Sequence, residues 1–288
     1  MANKENFLIK TAAWAARVLP SPVKRAFYEI PFLARVIRRS LNEAAPEGIT
    51  EVVIAAGILK GLSMALDLHT EKDYWLGTYE PDLQSAASQI IKPGMVVYDL
   101  GANIGYISLM AARLVGDGGR VFSFEALPAN IARLKQNASL NQLQERIQVV
   151  HAAVVDKAGE VAFLTHTSGA MGKALGSAGR DELYSQTIKV QGIAMDDFVF
   201  TQGNPPPAVI KVDIEGGEGM ALAGMTRLLK EAKPVLLIEL HGEEAARQVW
   251  DCLKANNYTL SPMHKDGAAI RSLTELDWKA YVIAVPEP

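Results

Sequence analysis

The chain holds a single cysteine, Cys252, among its 288 residues. No intrachain disulfide can form, which excludes the disulfide-framed secreted folds and fits a reducing compartment. It also lacks any run of roughly 18 uninterrupted apolar residues, so no segment reads as a membrane span. A signal-peptide layout is missing too, because Lys10 and Arg17 break the apolar stretch near the N-terminus. Strong charge of one sign is absent: a net charge of −3 argues against a general nucleic-acid binder. No internal repeat is visible. The expected location is cytoplasmic.

What is present begins with core material. An apolar content of 49% is enough to bury a substantial core. Charge is unevenly spread. Residues 1–45 carry eight basic side chains (Lys4, Lys10, Arg17, Lys24, Arg25, Arg35, Arg38, Arg39) and three acids (Glu5, Glu29, Glu43). That balance of +5 leaves −8 on the remainder of a chain whose total is −3. The spacing predicts two helices, Phe7 to Leu19 and another from Pro31, separated by Pro20, Ser21 and Pro22. Two readings fit this arm, residues 1–49. One is a helical lid packed on the domain. The other is a basic amphipathic surface that contacts a membrane or a partner.

From Thr50 a second region, 50–288, is expected to form one domain. "EVVIAAGILKGLSMALDL" reads as short strands or a hairpin around Gly57 and Gly61. Apolar strands are then predicted near 95–100, 120–125, 147–153, 208–213 and 234–240. Helices near 104–115, 128–140, 217–231 and 243–256 lie between most of them. Strand–helix alternation with continuous apolar strands means an α/β fold whose parallel sheet is covered on both faces. Late strands near 258–261 and 280–285, without a full helix between them, suggest an antiparallel finish.

The stretch "VVYDLGANIGYIS" lies where such folds bind ligands, beyond the carboxyl end of a strand. Gly101 and Gly105 let backbone approach a ligand closely. The pattern is G-x-x-x-G, without the open glycine turn that a pyrophosphate needs. Asp99 and Asn103 narrow and acidify the space, which suits a cation, and S-adenosylmethionine carries a sulfonium and an amino group. Glu125 ends the next strand twenty residues after Gly105, where a carboxylate can accept hydrogen bonds from two ribose hydroxyls. Ala126 beside it is a candidate cofactor contact, and the small residues Ala152 and Ala153 ending the third strand leave a slot for a flat base.

The fourth strand ends in "DIEGGE": Asp213, Glu215 and Glu218 crowd together at the ligand-binding end of the sheet. Clustered carboxylates are costly unless something cationic sits there. Lys211 is placed to pair with one of them. Glu218 falls in the first helical turn, where an acid is favoured in any case. The fifth strand ends in Glu239 and His241. His241 could serve as general base toward a hydroxyl. Alternatively Asp213, Glu239 and His241 could hold a divalent metal. His69, His151, His166 and His264 have no comparable setting.

These motifs together resemble the FkbM family of S-adenosylmethionine-dependent methyltransferases. The likeness runs from Gly57 to His241 through "GILKG", "YWLGTYE", "VVYDLGANIGYIS", "FEALPANIARLKQNASLN", "AAVVDKAGEVAF", "VIKVDIEGGE" and "PVLLIELHG". The resemblance implies a Rossmann-like class I fold: a seven-stranded, mostly parallel sheet with an antiparallel last strand. It implies S-adenosyl-L-methionine as cofactor and methyl transfer to a hydroxyl oxygen of a sugar, glycolipid or natural-product scaffold. By the same resemblance Asp99, Gly101, Asn103, Gly105 and Glu125 are cofactor positions. Asp213 and Glu215 match its acidic motif, and Glu80 its acid ahead of the glycine loop. The insertion Thr165 to Gln186, small and glycine-rich, is not covered and reads as a mobile substrate loop.

The expected chemistry is in-line transfer, with His241 or Asp213 taking the hydroxyl proton and Glu215 orienting that base or binding a sugar hydroxyl. A metal-free histidine base is the expectation, with a pKa near the ordinary value of about 6.5. Two rival classes stand beside it. A nicotinamide-dependent oxidoreductase is weakened by Asp99 and Asn103. A non-catalytic binding module has no use for the clustered acids.

Overall fold

The computed structural model describes residues 46–166, 172–178, 184–264, 267–277 and 279–287. The two helices expected in the N-terminal arm lie outside them. The chain divides into two compact units at Pro81/Asp82. The first unit contains a hairpin of β1 (Ile49–Val53) and β2 (Ser63–Asp67), antiparallel as expected. A short helix, α1 (Lys72–Leu76), follows. The Ala55 N–H donates to the Trp75 carbonyl, tying the end of the hairpin to that helix.

The second unit opens with the helix α2 (Pro81–Ile90). Its main sheet is built from β3 (Val96–Leu100), β4 (Arg120–Glu125), β5 (Ile147–His151), β10 (Val209–Val212), β11 (Val235–Glu239), β12 (Tyr258–Pro262) and β13 (Tyr281–Pro286). The order across the sheet is β12–β13–β11–β10–β3–β4–β5. From β5 to β11 neighbours are parallel; β13 is antiparallel to both its neighbours. The chain leaves β3 toward β4 and β5, then returns to lay β10 on its other side. That reversal puts the ligand-binding crevice beyond the carboxyl ends of β3 and β10. Between β12 and β13 the described residues form no α-helix, only a 3₁₀ turn, Leu273–Glu275, and β13 runs antiparallel to β12.

Helices α3 (Tyr106–Val115), α4 (Pro128–Leu140) and α7 (Glu243–Ala255) sit where the sequence puts them. The helix expected at 217–231 is two, α5 (Glu218–Ala223) and α6 (Thr226–Glu231). Asp196, some thirty residues earlier, accepts the Arg227 and Leu228 N–H groups at 2.9 and 2.8 Å and starts a new helix there. Gly224 at the break fits because an added Cβ would stand 2.3 Å from the Val155 carbonyl oxygen.

A second sheet, absent from the sequence reading, has the order β6–β9–β7–β8: β6 (Ala153–Val154), β7 (Gly159–His166), β8 (Gly172–Ala174), β9 (Tyr184–Ile193). The ends of the expected loop at 165–186 are therefore strands. The core of the unit is aromatic at its centre. Tyr98 and Phe122 pair across β3 and β4, Phe124 lies two residues along β4, and each of the three meets Phe198 with ring centroids 5.0–5.7 Å apart.

Candidate active site

The glycine loop after β3 turns three times through left-handed backbone, at Gly101 (φ +80°), Asn103 (φ +49°) and Gly105 (φ +92°). Asparagine is among the few side chains that tolerate this region, which answers why it stands at 103. Gly101 is glycine for the chain's own sake. An added Cβ would sit 1.9 Å from the Asp213 carbonyl oxygen, on the loop after β10. The loop is also held from behind. Asn137 on α4 donates its side-chain N–H to the Ile104 carbonyl at 2.9 Å.

Asp99 sits elsewhere than at the loop's open side. It is fully buried, accepts the Ser108 hydroxyl at 2.6 Å, and lies 3.4 Å from the Lys211 ammonium. The Ser123 hydroxyl donates to Ser108 in turn, joining β3, β4 and α3. The carboxylate is engaged by Ser108 and Lys211, and its Oδ1 makes no hydrogen bond among the described residues. Its contact with the loop runs through Lys211, which also donates to the Gly101 carbonyl at 3.1 Å.

Glu125, ending β4, closes on the same loop. One oxygen accepts the Asn103 N–H and the other the Leu127 N–H, both at 2.8 Å. Burial pushes its pKa up, and these hydrogen bonds oppose that without reversing it. They fix the carboxylate's position and leave 7% of the residue exposed as an edge. Ala126 and Ala153 pack into one buried cluster with Leu127 and Val155 next to it. An anchored acid, a glycine turn at the start of α3 and small side chains beyond β4 and β5 fit a nucleoside.

The acidic loop after β10 converges with the end of β11. Lys211 pairs with Asp213 at 3.2 Å, one of the acids expected for it, and with Asp99 as well. Glu215 (φ +55°) and Gly216 (φ +97°) bend the chain back toward His241. Glu218 is fully buried at the start of α5. Its Oε1 accepts the Gly216 N–H at 3.0 Å and meets Nδ1 of His241 at 2.9 Å. The other ring nitrogen, Nε2, faces Glu239 at 3.6 Å, Asp213 at 3.8 Å and Glu215 at 3.9 Å. Glu239 accepts the Tyr281 hydroxyl from β13 at 2.8 Å.

Four carboxylates around one imidazole change its titration. Burial lowers the His241 pKa, but the Glu218 hydrogen bond and the charges of Glu218, Asp213 and Glu239 outweigh it and push it up to about 9. The expected value near 6.5 is therefore corrected. The acids that draw His241 into place hold a proton on it. Glu215 moves up as well, chiefly through burial and then through the neighbouring Asp213 and Glu218 charges, against the pull of His241 and Lys211.

Asp213, Glu215, Glu239 and His241 thus meet, as do Gly101, Asn103, Gly105 and Glu125. Glu80 belongs to the first unit, with φ +42°; the other site residues are all in the second. The insertion also reaches the site: the Ala178 N–H donates to the Gly216 carbonyl at 2.9 Å. Sequence reasoning passed over Ser108, Asn137 and Tyr281, and left Glu218 as a helix-start acid. "KQNASLN" carried one signal for Asn137, an asparagine on the inner face of α4. Ser108, Tyr281 and the His241 contact of Glu218 depend on how distant elements pack.

The sheet order, with its inserted antiparallel strand and its glycine loop closing on an acid, defines the Rossmann-like class I methyltransferase fold. Residues 99–260 match the methyltransferase FkbM domain, and the chain belongs to that family. Its methyl donor is S-adenosylmethionine. Among curated relatives, 31-O-demethyl-FK506 methyltransferase FkbM of Streptomyces tacrolimicus is 27% identical over 161 residues, 47% of this chain. Hexuronic acid methyltransferase AglP of Haloferax volcanii is 30% identical over 146 residues, 51% of this chain. The chain spans 61% and 56% of the lengths of these two relatives. A solved structure of methyltransferase FkbM from Methylobacillus flagellatus KT is similar at 17% identity and a TM-score of 0.43. That match covers 76% of this chain and 53% of that one.

Proposed function

We propose that the chain transfers a methyl group from S-adenosylmethionine to a hydroxyl oxygen of a sugar or of a hydroxylated natural product. The observation that carries this is the convergence of Asp213, Glu215 and His241 beside the glycine loop, joined to it through Lys211. The carboxylates at that place suit an acceptor that must lose a proton. The named activities of the two curated relatives, one on an oxygen of an FK506 derivative and one on a hexuronic acid, support the oxygen and the substrate class.

When bound, the cofactor supplies a methyl carbon already activated by its sulfonium. The protein's part is alignment and proton removal. Glu125 offers its exposed edge to the ribose hydroxyls, and Ala126 and Ala153 flank the base. At neutral pH, with no ion present, His241 is an imidazolium and has no lone pair for a proton. Asp213 has one oxygen committed to Lys211. Glu215, with its raised pKa and 34% side-chain exposure, is the better acceptor for the hydroxyl proton. The described middle of the insertion, 172–178, borders this loop through Ala178 and suits a substrate-facing role.

The test is a screen of hydroxylated saccharides, glycolipids and polyketides, read by S-adenosylhomocysteine release and by the mass and linkage of the product. Methylation at oxygen is the expected result. Products methylated only at nitrogen or carbon would overturn the reading. Calorimetry separates the rival cofactor: saturable binding of S-adenosylmethionine with none of NAD is expected.

A further inference from the structure

We propose that Asp213, Glu239 and Nε2 of His241 bind one divalent cation of the Mn²⁺ or Mg²⁺ class, which receives the acceptor hydroxyl. This rests on the oxygen-methylation reading and deepens it. One ligand atom from each of the three residues falls within a set whose members all lie within 4.8 Å of one another. The three side chains are only about one-fifth exposed.

The imidazole argues for an ion more specifically than the acids do. Nδ1 is engaged by the fully buried Glu218, which turns Nε2 toward the carboxylates. A buried carboxylate behind a histidine is the arrangement that fixes the tautomer of a metal-binding imidazole. Nε2 stands 3.6–3.9 Å from three carboxylates. A charge-assisted N–H···O bond would be about 2.7–2.9 Å, so no carboxylate bonds to Nε2 directly. Two ligands on one divalent ion, each about 2.1–2.4 Å from it and roughly at right angles, stand about 3.0–3.4 Å apart. Closing the gap takes shifts of a few tenths of an ångström. Glu218, whose Oε1 meets His241, also leaves its fully buried Oε2 without a hydrogen-bond partner among the described residues. One imidazole with two carboxylates is a hard, oxygen-rich set that leaves coordination positions open.

The ion would bind the substrate oxygen and make its proton easier to lose. The O–H proton passes to Glu215. The oxygen pair forms the new bond to the methyl carbon. The methyl–sulfur bond breaks with its electrons going to sulfur, leaving a neutral thioether. No oxidant or reductant is needed.

The experiment is electron paramagnetic resonance of Mn²⁺ titrated into the chelator-treated full chain, without substrate. Loss of the free-ion signal at one equivalent is expected. Asp213→Asn, Glu239→Gln and His241→Gln should each weaken binding at least tenfold while S-adenosylmethionine still binds in calorimetry. No saturable binding overturns the proposal, and so does binding that the three variants leave unchanged. If one variant also loses cofactor binding, the other two decide. These outcomes need no acceptor. Failure of oxygen methylation in the product screen would strike the functional reading and leave the ion measurement standing.

Discussion

Glu218 and His241, twenty-three residues apart, meet at 2.9 Å between Oε1 and Nδ1, and Glu218 is fully buried in doing so. The same oxygen holds the Gly216 N–H, so one buried acid sets both the bend of the acidic loop and the aim of the imidazole. Glu218 is a positioning residue. Glu218→Gln keeps an oxygen but removes the charge. It should lower kcat roughly 10–100-fold, the usual range for a lost supporting contact of this kind, with the cofactor Kd unchanged. An unchanged kcat would return Glu218 to the role of a helix-start acid.

His241 should also make stability depend on pH in chelator-treated protein. Its folded pKa, about 9, lies above the ordinary unfolded value of about 6.5. The protonated form is the one the fold favours. Its contribution is fully present below about pH 6.5, declines between the two values and is lost above about 9. Urea unfolding at pH 6 and pH 10 checks this: the stability gap between wild type and His241→Ala should be larger at pH 6. A gap that does not change with pH would mean that the surrounding carboxylates do not act on the imidazole.

Lys211 is a second point at which one change should have a large effect. It sits between Asp99 and Asp213 and donates to the Gly101 carbonyl. Lys211→Met would leave Asp99 charged and fully buried without its cation. Removing one partner of a buried pair costs about 3–5 kcal/mol. Denaturant unfolding should show a loss of that order, accompanied by weaker cofactor binding because the glycine loop loses its tie. A loss below about 1 kcal/mol would show that the pair is not structural.

How much of this was legible depended on the range of the interactions. The ends of α4 were readable because Pro128 and the run to Leu140 carry local signals. The seven-stranded sheet followed from strand–helix alternation, and its antiparallel finish from the missing helix before β13. The break between α5 and α6 was not readable, since its cap, Asp196, comes from a distant loop. The β6–β9 sheet rests on pairings across an insertion that looks loop-like by composition. At the site, Asp213, Glu239 and His241 were found because each ends a strand of a parallel sheet, and such ends lie together. Asp99 also ends a strand. Whether it faces the ligand or the interior is decided by Ser108 and Lys211, on two other elements. The pKa of His241 was misjudged for a similar reason, because Glu218 approaches it from α5.

The last expectation concerns Glu125 and separates two things that it does. Its oxygens hold the Asn103 and Leu127 N–H groups, so it shapes the glycine loop; the second function is the ribose contact proposed above. Glu125→Ala removes both functions and leaves main-chain donors unpaired. Glu125→Gln retains one acceptor oxygen and the side chain's shape but loses the charge. If the ribose contact matters in its own right, Gln should weaken S-adenosylmethionine by the loss of a charge-assisted hydrogen bond, roughly 1.5–3 kcal/mol. Ala should weaken it further. Calorimetry with both variants, alongside thermal unfolding, distinguishes the two. A Gln variant that binds the cofactor as wild type does, while Ala binds poorly and melts early, would make Glu125 a loop anchor alone.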